Sequence, residues 1–125
     1  MKIKDIIGED APTVSQTDTI ENALKIMTEK NINGLAVVDD DNLLVGMVVK
    51  ADIYRFMIQP GRYTAYPVDR VMSKDVVSVH PDENVREAAV KILANHIVAM
   101  PVVEEDRVLG MVSVEDLLEY FSKEA

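Results

Sequence analysis

The chain has 125 residues, of which 48% are hydrophobic, and it contains neither Cys nor Trp. It can therefore build one compact unit or two very small ones around an aliphatic core, and disulfides, thiolate zinc sites and cysteine nucleophiles are excluded. A formal net charge of −9 argues against nucleic acid or an anionic membrane as a partner, because both are bound through Lys and Arg.

The sequence shows neither a signal peptide nor a membrane-spanning segment. The residues from Met1 to Asp5 lack the apolar core of a signal peptide. The longest apolar run, 43–49, is far shorter than the ~18 residues that a membrane-spanning helix needs. We therefore expect a cytoplasmic protein.

The first half of the chain predicts the element order β-α-β-β-α. Asp18-x-x-Glu21 resembles a capping box, and apolar residues at spacings of three and four behind it indicate an amphipathic helix. An acidic turn at 39–42 separates two Val-rich segments, which is typical of a hairpin. The predicted elements are a strand at 13–15, this helix, strands at 35–38 and 43–49, and a helix at 51–57.

Segment 58–68 carries two prolines and one glycine and is predicted to be a linker. After it the pattern recurs at a shift of 64 or 65 residues, so that Ala23 falls on Ala88 and Asp52 falls on Asp116. Its predicted elements are a strand at 77–79, a helix opened by Asn84-x-x-Glu87, strands at 100–103 and 108–112, and a helix at 114–121. We place the first repeat at 1–57 and the second at 69–125. A half of ~60 residues buries only about 60% of its unfolded surface, so we expect the two sheets to pack together.

The motifs of the second half are the most specific ones. Ala99-Met100-Pro101-Val102-Val103 is followed by a Gly110-x-x-Ser113-x-x-Asp116 ending, and the first half echoes both as 34–38 and 46–52. Doubled at matched spacing, these motifs resemble the cystathionine-β-synthase (CBS) repeat pair, often called a Bateman module. The resemblance implies an α/β fold of two tandem β-α-β-β-α repeats, packed pseudo-symmetrically through their sheets.

The resemblance also implies a function. It suggests a standalone regulatory module that binds AMP, ADP, ATP or S-adenosylmethionine in clefts between the repeats, with no catalysis, no catalytic residue and no cofactor beyond this ligand. It further implies a homodimer and an effector protein that receives the signal. In one site it places Asp116 on the ribose hydroxyls, Ser113 near the phosphate, and Val76, Val77, Met100 and Pro101 around the adenine. A second, weaker site would consist of Asp52, Ala11, Pro12, Leu35, Ala36 and Lys50.

Two alternatives stay open. Ser113 and Asp116 are also good residues for a helix start, so their pattern is explained by capping alone. In the first half Val49 takes the Ser/Thr position and Ala36 the Pro position, which weakens that site, although Lys50 can supply charge. The alternative function is a ligand-free scaffold for dimerisation or interaction.

The sequence predicts no metal site. His80 and His96 are the two histidines, and neither has a second ligand nearby at metal spacing. His96 stands at a helix end, where we expect a C-terminal cap or a surface residue. The acidic turns at 39–41 and 104–106 lack the spaced ligands and the Gly of a calcium loop, so we interpret them as solvated hairpin turns.

Overall fold

The structure, a computed structural model, describes residues 1–8 and 11–124. The chain divides into two compact units: Pro12–Val76 forms one, and Met1–Ala11 together with Val77–Ala125 forms the other. We call them the central unit and the terminal unit. The elements within the described residues are β1 (Thr13–Ser15), α1 (Ile20–Lys30), β2 (Gly34–Val38), β3 (Leu44–Val49), α2 (Lys50–Met57), α3 (Val85–Asn95), β4 (Ala99–Glu104), β5 (Arg107–Ser113) and α4 (Val114–Glu124).

A three-stranded sheet in the order β1-β2-β3 forms the centre of the central unit. β1 runs parallel to β2, with Thr13 opposite Ala36, and β3 runs antiparallel to it, with Val49 opposite Gly34. All five residues of β2 are buried, as expected for a strand with partners on both edges. The core of this unit consists of Val14, Ile20, Ala23, Met27, Leu35, Val37, Val48, Ile53 and Val68.

Helix α1 begins one residue later than the predicted capping box. Thr19 is the N-cap, and its Oγ1 accepts a hydrogen bond from the backbone N–H of Asn22 at 3.1 Å. The Asp18 carboxylate instead accepts from the N–H of Thr19 at 2.7 Å. The prediction of a polar helix start was correct, whereas the assignment of the cap to Asp18 was wrong.

The segment predicted as a linker is packed against the central unit. Val68 is fully buried in its core, and its N–H donates to the carbonyl of Asp18 at 2.7 Å. The Tyr66 carbonyl accepts from the N–H of Ile20 at 2.9 Å, and the guanidinium of Arg62 lies 4.5 Å from the centre of the Phe56 ring. Apolar side chains and cation–π contacts therefore order a stretch that Pro and Gly mark as a turn region. The repeat boundaries at 1–57, 58–68 and 69–125 remain a prediction about the sequence pattern.

The terminal unit contains the antiparallel pair β4-β5, with Ala99 opposite Ser113. The predicted strand at 77–79 is reduced to one parallel bridge between Val79 and Val102. The carbonyl of the preceding residue, Ser78, accepts a hydrogen bond from the Lys91 ammonium at 2.9 Å. The core of this unit consists of Ile3, Val79, Val85, Ala88, Ile92, Met100, Val102, Val112 and Leu117.

Residues from the start of the chain complete the terminal unit. Ile3 is fully buried in its core, and its N–H donates to the carbonyl of Glu83 at 2.9 Å. Lys2 forms an antiparallel bridge with Asn84. Residues 1–8 thus contact the second half of the sequence, although they precede the first predicted strand.

Helix α3 follows the predictions closely. Asn84 Oδ1 accepts from the N–H of Arg86 at 2.8 Å as the N-cap. His96 ends the helix with φ 54°, in the left-handed conformation typical of a C-terminal cap. None of the helices within 1–8 and 11–124 has the length and apolar content needed to cross a bilayer.

Candidate ligand-binding half-sites

Each unit ends its strand pair in the same way. Helix α2 follows β3 without a gap, and α4 follows β5 without a gap. The first helical N–H donates to the residue before the paired strand in both cases: Lys50 to the Asn33 carbonyl and Val114 to the Val98 carbonyl, each at 2.9 Å. We call β2-β3-α2 the α2 half-site and β4-β5-α4 the α4 half-site. Since each helix carries Asp as its third residue, the two predicted ribose-binding groups occupy equivalent positions.

In the α4 half-site Ser113 and Asp116 form a reciprocal pair of hydrogen bonds. The backbone N–H of Ser113 donates to Asp116 Oδ2 at 2.8 Å, and the backbone N–H of Asp116 donates to Ser113 Oγ at 3.1 Å. This is the geometry of a capping box, so the structural interpretation of the motif is correct. It does not exclude ligand binding, because a carboxylate has about four acceptor positions and this pair uses one.

In the α2 half-site the equivalent groups are arranged differently. Val49 has no polar atom in its side chain and cannot cap α2. The Asp52 Oδ1 accepts from the guanidinium of Arg55 at 2.9 Å, one helical turn further on. The side chain of Arg55 is 70% exposed, and exposed pairs of this kind contribute only about 0.3–0.5 kcal/mol, so a ligand can displace the guanidinium at little cost.

The apolar residues predicted around the adenine are mostly core residues. Met100 and Leu35 are fully buried in the cores of their units, and Pro101 is buried as well. Ala36 is fully buried, and it is paired with both β1 and β3. These side chains thus belong to the packed strands, and the pairing of Ala36 on both sides engages its backbone in the sheet.

The remaining predicted residues are half-buried. Val77 packs against the core of the terminal unit, and Ala11 is part of the same unit. Val76, Pro12 and Lys50 lie in the central unit.

The structure brings together one ionic cluster that sequence reasoning missed. His80 Nε2 lies 3.3 Å from Glu104 Oε2, and His80 Nδ1 lies 3.8 Å from Asp82 Oδ2. The expectation that His80 has no nearby ligand residue was therefore wrong, because Glu104 comes from the end of β4, 24 positions along the chain. The close spacing of His80 and Asp82 was the available signal.

This cluster lies at the surface, where Asp82 forms ion pairs with Lys4 and Lys2 and its backbone N–H donates to His80 Nδ1 at 3.1 Å. Lys4 Nζ lies 3.1 Å from Asp82 Oδ1, and its hydrogen bond and charge lower the pKa of Asp82 below the ordinary value, with smaller contributions from Lys2 and His80. All three potential ligands are exposed. Because Lys4 and Lys2 of the amino-terminal segment pair with Asp82, we interpret the cluster as a fastening of that segment.

Comparison with known proteins agrees with the sequence motifs. A family model described as CBS domain matches residues 3–59 and again residues 68–123. The CBS domain-containing protein YhcV of Bacillus subtilis is 30% identical over 115 residues, which are 92% of this chain and 81% of that protein. Homoserine O-acetyltransferase of Methanohalobium evestigatum is 36% identical over 116 residues, 92% of this chain, but the chain spans only 23% of that enzyme's length.

A solved structure is similar over the full chain. The CBS domain pair of protein MJ0100, in complex with 5′-methylthioadenosine and S-adenosyl-L-methionine, has a TM-score of 0.87 and 30% sequence identity, covering 100% of this chain and 98% of that one. The fold class predicted from the repeated motifs is confirmed by this likeness. With two family matches that span most of its length and the repeated hairpin–helix units in its structure, the chain belongs to the CBS domain family.

Proposed function

We propose that the chain is a regulatory module that binds an adenosyl ligand at its half-sites, with Asp116 on the ribose hydroxyls. The observation that carries the proposal is the similarity to the MJ0100 domain pair, whose structure holds two adenosyl compounds. The recurrence of Asp at the third helical position in both half-sites supports it. An ionised carboxylate suits a vicinal diol, because hydrogen bonds to charged groups contribute about 1.5–3 kcal/mol each.

The capping box makes Asp116 a prepared acceptor. Its Oδ2 is held by the N–H of Ser113 at 2.8 Å, so the side chain is already ordered before a ligand arrives. Ordering a side chain on binding costs about 0.5–1.5 kcal/mol, and in this half-site the fold has already met that cost. Binding energy is then available to shift the protein between conformations, as a regulatory module requires.

We propose that the module performs no catalysis. The homoserine O-acetyltransferase of Methanohalobium evestigatum is a much longer protein, and the chain covers only 23% of it. The groups that the half-sites bring together are a cap pair in one and an exposed ion pair in the other. Both arrangements suit recognition of a hydroxyl or an anion, and neither supplies an activated nucleophile.

A thermal-shift assay tests the proposal. We expect AMP, ADP, ATP, S-adenosylmethionine or 5′-methylthioadenosine to raise the melting temperature, since a ligand at about 100 times its Kd adds roughly 2.7 kcal/mol of stability. Ribose 5-phosphate, which lacks the adenine, is the matched control and should produce no comparable shift. If none of the five compounds shifts the transition at millimolar concentration, the ligand-binding proposal is wrong.

The alternative function, a scaffold that only dimerises, is favoured by exposed apolar side chains. Leu93 and Val90 on α3 are 73% and 61% exposed, and Leu118 on α4 is 64% exposed. We propose self-association as a homodimer through these helices, as a property that accompanies ligand binding. Sedimentation of the wild type and of Leu93→Lys measures it, with Lys25→Leu as a control on α1. A monomeric wild type would refute the self-association proposal.

A further inference from the structure

The two half-sites carry opposite charges around the same Asp. In α2 the cations Lys50 and Arg55 flank Asp52. In α4 the flanking charges are Glu115 and Glu119, and the helix has no cation before Lys123. At the shift of 64 residues that aligns the two Asp residues, Arg55 and Glu119 occupy the same helical position.

Both of these charged groups are largely exposed, and each is held in a surface ion pair with which a ligand can compete. The side chain of Arg55 is 70% exposed and that of Glu119 is 68% exposed. Arg55 is paired with Asp52 at 2.9 Å, so its positive charge already lies beside the predicted ribose-binding group. Lys123 pairs with Glu119 at 3.1 Å from the carboxyl-terminal end of α4, which is the far end from Asp116.

The helix starts reinforce this difference. In α4 the N–H of Asp116 donates to Ser113 Oγ, so that hydroxyl oxygen already has a partner and one helix-start donor is used. In α2 the N-cap is Val49, whose side chain has no acceptor for the same donor. An anion therefore meets three carboxylates along α4 before Lys123, whereas in α2 it meets two cations and the single carboxylate of Asp52.

We infer that charge sorts the ligands between the half-sites. Given the proposed function, on which this inference rests, the α2 half-site selects a phosphate-bearing adenosine nucleotide. The α4 half-site selects an adenosyl compound without phosphate, either neutral or carrying a sulfonium cation. A phosphate monoester carries about −1.5 to −2 charges at pH 7, so the flanking charges distinguish it strongly from a neutral adenosyl group.

This inference changes the expected ranking of the two sites. The Ser113 hydroxyl oxygen already accepts from the N–H of Asp116, and the one hydrogen that it can donate does not offset three neighbouring negative charges when the ligand is itself an anion. The net charge of −9 opposes anions over the whole chain, so local cations decide where a phosphate binds. The α4 half-site therefore remains the tighter one only for phosphate-free ligands.

Calorimetry with two matched ligands tests the inference. AMP and 5′-methylthioadenosine share the adenosine group, and only AMP carries a phosphate. Asp116→Ala leaves the α2 half-site as the binding site, and Asp52→Ala leaves the α4 half-site. In these backgrounds we add Arg55→Glu and Glu119→Arg, respectively, and measure the ratio of AMP affinity to 5′-methylthioadenosine affinity at low salt.

We expect Arg55→Glu to lower this ratio about tenfold and Glu119→Arg to raise it about tenfold, as a change of two charges near a phosphate should do in a largely hydrated site. The ratio removes any effect that the broken Asp52–Arg55 pair has on the ribose, because both ligands carry the same ribose hydroxyls near it. Lys25→Glu and Glu29→Arg, exposed positions on α1, make the same charge changes elsewhere and should move the ratio less than about twofold.

The outcomes separate the two claims. If AMP, 5′-methylthioadenosine and the other three adenosyl compounds all fail to bind the wild type, the proposed function is wrong and the inference fails with it. If both bind and the ratio responds to Arg55 and Glu119 no more than to the α1 controls, the charge inference is wrong and the proposed function stands.

Discussion

The two half-sites have the same backbone arrangement and differ in the side chains around the Asp at the start of the helix, which we call the rim. Both place a helix directly after a strand pair and an Asp at its third residue. At the cap position one has Ser113 and the other Val49, and one turn beyond the Asp one has Glu119 and the other Arg55. At equivalent positions the core residues of the two units are alike in kind, whereas the residues around the Asp differ in charge and in capping ability.

The two units are most alike at their core positions. Leu35 and Met100 are equivalent at the 65-residue shift, and each is fully buried in the core of its unit. The cap positions show the divergent side. Because a cap contributes about 1 kcal/mol and a core side chain several times more, the rim can change while the fold persists.

The largest expected effect is the loss of stability when buried side chains are truncated at equivalent positions of the two cores. Leu35→Ala and Met100→Ala should each lower the free energy of unfolding by about 2–5 kcal/mol, because each removes a fully buried side chain and leaves a cavity. Urea titration followed by circular dichroism measures this. A loss below about 1 kcal/mol at either position would show that its side chain is not part of the core. That residue would then again be a candidate for contact with the ligand.

The next largest effect is the loss of ligand affinity when the Asp of a half-site is removed. Asp116→Ala should weaken the binding of an adenosyl ligand by about 2–4 kcal/mol, roughly 30- to 1,000-fold, because two ribose hydrogen bonds are lost. It should also lower stability by about 0.5–2 kcal/mol, because the reciprocal cap with Ser113 is broken. Calorimetry and thermal unfolding of the same variant give both values.

Asp52→Ala is the matched comparison for stability. It loses an exposed pair with Arg55 and an acidic group in the first turn of α2, so its stability should fall by at most about 1 kcal/mol. Ser113→Ala serves as the cap control, with a similar stability loss to Asp116→Ala and a much smaller change in affinity. Unchanged affinity in Asp116→Ala would reduce the residue to a cap and contradict the site assignment.

Much of the fold was predictable because it depends on local periodicity. The apolar spacing from Ile20 onward predicted α1, the Val-rich segments predicted both hairpins, and Asn84 was recognised as a cap. Sequence repetition then aligned Asp52 with Asp116, which located the half-sites. These features are visible in sequence because each needs only residues within a few positions of one another.

What escaped prediction depends on contacts between distant segments. Ile3 looked like the start of the first repeat, yet it is buried among residues of the second half. The proximity of Glu104 to His80 depends on the position of β4 in the folded unit. The partner of Asp52, Arg55, was within reach of an i,i+3 argument, and attention to opposite charges at helical spacing would have found it.

A smaller effect follows from exchanging the caps. Val49→Thr keeps the branched shape and adds an acceptor for the first turn of α2, so it should raise the free energy of unfolding by about 0.5–1 kcal/mol. Ser113→Val should lower it by about the same amount or somewhat more. Chemical denaturation of the two variants and of the double exchange measures the difference. Equal stabilities for all of them would mean that the caps do not distinguish the two half-sites.

The smallest expected effect concerns the fastening of the amino-terminal segment, which only the terminal unit has. Lys4 lowers the pKa of Asp82 in the folded protein, so the ionised carboxylate binds its proton less readily in the folded chain than in the unfolded one. The stabilisation is therefore fully present above the ordinary pKa of 3.8 and is lost as the pH falls through the lowered value.

We expect wild type to melt slightly higher than Asp82→Asn at neutral pH, with the difference vanishing at a pH well below 3.8. Lys4→Ala should behave like Asp82→Asn at neutral pH, and the double variant should be no less stable than either single one, because each removes the same contact. Asp40→Asn, in the exposed hairpin turn of the central unit, is the control for removing one negative charge. If the melting difference between wild type and Asp82→Asn is the same at both pH values, the Lys4–Asp82 pair does not fasten the segment, and the buried Ile3 side chain holds it without electrostatic help.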